Sequence, residues 1–128
     1  MARLALLAAV LFLMTASIAF AKPATTSSIS LAGPQTPSYG QTVTFNESTN
    51  VTNDPFVHLK CSQGSTLVAE GWMSSVEAAY YGGYKFTLTT DAWTGGPADC
   101  TAYLENFDRY SFTGKIKTLA STSFNVNG

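Results

Sequence analysis

Charge is scarce in this chain: Asp, Glu, Lys and Arg make up 12% of its residues, eight acids against seven bases. No basic stripe or block is present, which argues against nucleic acid or an anionic membrane surface as a partner. Histidine occurs once, as His58, and cysteine twice, as Cys61 and Cys100, with no Cys-x-x-Cys pair. The usual spacings for zinc ligation or thiol redox chemistry are therefore missing. Ser74 and Ser75 lack a Gly-x-Ser-x-Gly frame, so no nucleophile elbow is signalled. The acids Glu70, Glu77, Asp91, Asp99, Glu105 and Asp108 are scattered, without the alternating spacing that wraps calcium in oxygen. These absences point to a non-catalytic protein with no cofactor and no metal. They also leave His58, on the outward face of its segment, with the expectation of a solvated side chain.

Long apolar runs are missing too, except at the start. After Met1-Ala2-Arg3 the chain is apolar from Leu4 to Phe20, broken only by Thr15 and Ser17, and it closes on Ala19-Phe20-Ala21 before Lys22-Pro23. One positive charge, an apolar stretch and small residues at a cleavage site form a signal peptide pattern. Cleavage is expected after Ala21, giving a signal peptide over 1–21, a flexible Pro, Ala, Thr and Ser leader over 22–28, and a single domain over 29–128. The exported product is expected to be secreted, with no stable membrane insertion. With Arg3 removed, six bases face eight acids, a net charge of −2. Export delivers Cys61 and Cys100, 39 residues apart, to an oxidising space, so they are expected to form a disulfide.

What fills the chain is a succession of short alternating segments. Ile29 and Leu31 alternate with serines, Val43 and Phe45 with Thr42 and Thr44, and Val57, Leu59 and Cys61 with His58 and Lys60. Asn46 to Pro55 reads as a polar loop holding two glycosylation sequons, at Asn46 and Asn50. Gln63-Gly64-Ser65 turns into Leu67, Val68 and Ala69 as a hairpin. Ser74 with Glu77 has the spacing of a capping box, predicting one helical turn with Val76, Ala79 and Tyr80 on one face. Tyr84, Phe86 and Leu88 make a further strand. Cys100, Ala102 and Leu104 point inward, and Thr122, Phe124 and Val126 end the series. About seven strands separated by turn signals predict an all-β Greek-key sandwich.

Several pieces resemble an immunoglobulin-like domain, in particular the single-domain proteins of that type exported by bacteria. They are Tyr39 to Phe45, Val57 to Cys61 with Gln63-Gly64, Trp93 with Gly95-Gly96, Ala98 to Ala102, and Leu119 to Val126. Position 98 holds Ala where a tyrosine corner would place Tyr. On this resemblance Cys61 falls on strand C and Cys100 on strand F, neighbours in one sheet. The alternative register puts Cys61 on strand B and packs Trp72 against the bridge.

Aromatic residues carry the functional expectation, because Tyr and Trp give rigid contact area at small entropic cost. One candidate cluster is Trp72, Tyr80, Tyr81 and Tyr84; the neighbours Tyr80 and Tyr81 cannot both face one core. A second is the hairpin before the last strand, with Arg109, Tyr110 and Phe112 near Lys115 and Lys117. The leading expectation is a secreted recognition or surface-interaction module for an extracellular protein or surface polymer. A carbohydrate-binding module, stacking sugars on Trp72, Tyr81 and Trp93, is the alternative. A structural subunit assembling through an unpaired sheet edge is a third.

Overall fold

The computed structural model describes residues 19–108 and 114–128. Seven strands and one short helix follow in the order β1 (Ser27–Ala32), β2 (Thr42–Thr49), β3 (Phe56–Gln63), β4 (Thr66–Ser74), α1 (Ser75–Tyr81), β5 (Tyr84–Thr87), β6 (Ala98–Phe107) and β7 (Ile116–Val126). They form two antiparallel sheets, one of three strands in the order β1-β2-β5 and one of four in the order β4-β3-β6-β7. The chain changes sheet between β2 and β3 and twice more around β5, so the expected Greek-key sandwich is present. The helix α1 stands at the crossover from the four-stranded sheet to β5.

Period-two alternation decides which side chains meet between the sheets. Ile29, Leu31, Val43, Phe45 and Tyr84 are buried from one layer, and Val57, Leu59, Cys61, Cys100, Ala102, Leu104, Phe124 and Val126 from the other. Phe45 and Phe124 meet across the layers with ring centroids 5.9 Å apart. Cys61 and Cys100 are direct cross-strand partners of β3 and β6, and they form the disulfide, with Cα atoms 4.1 Å apart. The bridge thus joins two neighbours of one sheet, and the register that placed Cys61 on the second strand is excluded. In the loop-entropy model a 39-residue separation gives roughly 4 kcal/mol of stabilisation.

Two boundaries differ from the reading of the sequence, and the helix shows which of its residues turns inward. The segment 46–49 is strand, because β1 gives it a partner: Ser27 to Ser30 pair with Thr49 to Asn46. The leader is tied down from Ala24 onward. Asn50 accepts a hydrogen bond from the Thr26 amide at 2.8 Å and donates one to the Ala24 carbonyl at 3.0 Å. In α1, Ala78 is the buried residue, whereas Val76, Ala79 and Tyr80 face outward; in a helix of 7 residues the strands on either side set which face turns inward.

The turns follow their chemistry. Gly64 has φ of 61°, and no non-glycine residue among those described has positive φ. With Gln63 and Thr66 paired, Gly64-Ser65 is a two-residue loop with the sign pattern of a type II′ turn, matching strand twist. At the far side of α1, Gly82 takes the left-handed conformation and its amide reaches the Ala78 carbonyl, a glycine stop.

Candidate functional site

The outer face of the four-stranded sheet carries the site. Register places His58 of β3 opposite Trp72 of β4 and Tyr103 of β6. One row away, Lys60 lies opposite Glu70; one row the other way, Phe56 lies opposite Glu105. His58 therefore has a carboxylate on each diagonal, within reach of its ring. Its Nδ1 is 2.9 Å from Glu105 Oε1 and its Nε2 is 2.8 Å from Glu70 Oε1. In its imidazolium form the ring donates to both carboxylates; in its neutral form it donates to one. Lys60 Nζ approaches the same Glu70 oxygen at 3.7 Å.

Burial corrects the expectation of a solvated histidine. The His58 side chain is only 8% exposed and that of Glu105 9%. The ring does point outward, but Trp72 lies flat over it at 4.1 Å with an interplanar angle of 18°, and Tyr103 leans in at 5.9 Å. The arrangement is a stack: two carboxylates pin the imidazole, and the imidazole seats the indole. Trp72 nevertheless remains 52% exposed, a rigid aromatic surface open to solvent.

Beside Trp72 lies a groove of about 350 Å³, lined by Phe56, Trp72, Glu105, Phe107 and Ile116. Phe107 and Ile116 are cross-strand partners at the end of β6 and the start of β7, and both are exposed. Four of the five lining residues are apolar, and the fifth is the carboxylate that holds His58. The groove lies at the end of the sheet where β3 begins and β6 ends.

The proposed aromatic residues divide sharply. Tyr80 is 83% and Tyr81 59% exposed, their rings edge to face at 4.9 Å. Tyr84, in contrast, is buried, with its hydroxyl donating to the Pro55 carbonyl at 3.2 Å. Burial, then the nearby carboxylates of Glu47 and Asp54, push its phenol well above the usual range. It is a core residue and presents no binding surface. Trp93 is likewise withdrawn: it is 0% exposed, packs edge to face on Tyr39 at 5.3 Å, and donates from Nε1 to the Gly96 carbonyl. It closes the core near the end of β3 and the start of β6, the opposite end from Trp72. Arg109, Tyr110 and Phe112 lie outside the described residues.

The sequence reading missed Glu70, Glu105, Phe56, Phe107 and Ile116. Cross-strand register was the signal that would have found them, and it needs the pairing of β4, β3 and β6 to be known. Among the described residues no cluster of three or more His, Cys, Asp or Glu is arranged to hold a metal ion. No described helix is long and apolar enough to cross a membrane. No known protein family, curated protein or solved structure matches the chain.

Proposed function

We propose that this chain is an exported, non-catalytic recognition module of the immunoglobulin-like kind, binding an extracellular protein through the outer face of its four-stranded sheet. The observation that carries the reading is Trp72, half exposed yet held flat on a pinned imidazole. A tryptophan fixed in this way meets a partner without losing rotamer freedom, as the dominant residues of binding interfaces do. The groove next to it supplies concave apolar surface, and Tyr80 and Tyr81 extend the aromatic area past the end of β4. Both ring nitrogens of His58 are held by carboxylates, which suits the imidazole to seating Trp72. The disulfide and the apolar Leu4–Phe20 run support export.

The test is binding of the purified protein to an extract of the host's extracellular surface, compared with Trp72→Ala. The variant is expected to lose about tenfold or more in apparent affinity with an unchanged circular dichroism spectrum. Equal retention of both proteins contradicts the reading. A second reading, carbohydrate binding, is favoured by the flat exposed indole alone. Perturbation of Trp72 fluorescence by a soluble glycan would place the ligand in that class, whereas the groove's single polar residue favours protein.

A further inference from the structure

The groove beside Trp72 is not neutral in its demands. We propose that it receives an arginine side chain of a protein partner, with the guanidinium set between the aromatic walls and the Glu105 carboxylate. The proposal rests on the recognition reading above and adds the chemistry of the group recognised.

Glu105 is the one charged side chain among the described lining residues, and its walls are Phe56, Trp72, Phe107 and Ile116. An anion entering this space would meet a carboxylate in poorly hydrated surroundings. A purely apolar group would remove the remaining water from that carboxylate and return no hydrogen bond, a costly exchange. Sugar hydroxyls need several donors and acceptors, and the lining offers one acidic acceptor. A guanidinium fits each feature: it is weakly hydrated, it stacks on aromatic faces, and it donates to carboxylates in a fixed planar geometry. A volume of about 350 Å³ lies at the lower end of small-ligand sites, roughly 300–1,000 Å³, and suits one long side chain.

The charge balance points the same way. Glu70 and Glu105 share a single imidazole, so even a protonated His58 is divided between two acids. Lys60 approaches Glu70, at 3.7 Å, and serves the acid on the far side of His58 from the groove. The acid that lines the groove thus has the weaker compensation, and an incoming cation completes it.

The experiment titrates the purified protein with n-butylguanidinium and with its neutral counterpart n-butylurea, following the indole N–H resonance of Trp72 by two-dimensional NMR. Trp93, sealed in the core and bonded to Gly96, is the internal control. Butylguanidinium is expected to move the Trp72 resonance and to bind about tenfold more tightly than butylurea. Glu105→Gln, which keeps the side chain's shape, is expected to remove that preference. Because Glu105 is buried, Phe107→Leu serves as a second variant at an exposed position: it should weaken the cation while sparing butylurea. Equal binding of the two probes, or no response of Trp72 to either, overturns the proposal. Binding seen only in Arg109→Ala would assign the groove to the chain's own arginine, two positions beyond Phe107 in the sequence, and would overturn it as well. The recognition reading fails separately, through retention of partner binding by Trp72→Ala.

Discussion

Removing the His58 ring while leaving its neighbours in place strands Glu105, whose side chain is 9% exposed and loses its imidazole partner. A buried acceptor left without its donor costs about 1–3 kcal/mol, more when charged. His58→Ala is accordingly expected to destabilise the fold by about 3 kcal/mol, read as a lower urea midpoint. Lys60→Ala is the contrast: its ion pair with Glu70 is long and the lysine side chain is 45% exposed, so its effect should stay within about 0.5 kcal/mol. Alternation in the sequence was enough to place His58 on the outward face. It could not show that this face is covered at that point, because the cover comes from Trp72, 14 positions later, and from Tyr103 and Glu105 on a strand paired much further along. The same blindness made Tyr84 and Trp93 look like surface aromatics: nothing local distinguishes a tryptophan that closes a core from one that waits for a ligand.

Among the elements, α1 is the most legible from sequence in its start and the least in its packing. Ser74 accepts a hydrogen bond from the Glu77 amide at 3.2 Å, and Glu77 accepts one from the Ser74 amide at 2.8 Å, the reciprocal box that the Ser-x-x-Glu spacing announced. The Ser74 backbone amide, and after it the Ser74 hydroxyl, hold the Glu77 carboxyl below its ordinary range. A depressed folded value means that the contribution of this contact is complete above the ordinary carboxylate range, about pH 4.3, and is lost as pH falls through the lower folded value. Ser74→Ala should cost about 1 kcal/mol at neutral pH. The difference in stability between the wild type and Glu77→Gln, followed by urea unfolding from pH 7 to pH 2, should shrink on acidification. Which face of the helix packs was illegible, since with so few residues the strands on either side, and not helical periodicity, decide its rotation. The polar half of β2 was hidden for a related reason: Asn46 to Thr49 have loop composition, and only pairing with Ser27 to Ser30 makes them a strand.

For the whole molecule, the sandwich separates two tasks between its tryptophans. The layers bury Phe45, Leu104 and Phe124 around a bridge between β3 and β6, and Trp93 seals the core near one end. The outer face of the same four-stranded sheet presents Trp72, from β4, near the other. Fold class, strand number and disulfide were readable because alternation and two cysteines express them directly; the proposed binding face was not, because it is assembled from four strands whose pairing no local pattern encodes. The most direct measurement of this division is acrylamide quenching of tryptophan fluorescence in the wild type and in Trp72→Phe. The wild type should show one readily quenched component and one that resists, and Trp72→Phe should retain only the resistant one. A variant whose remaining emission is freely quenched, or a wild type in which neither tryptophan is accessible, would contradict the account.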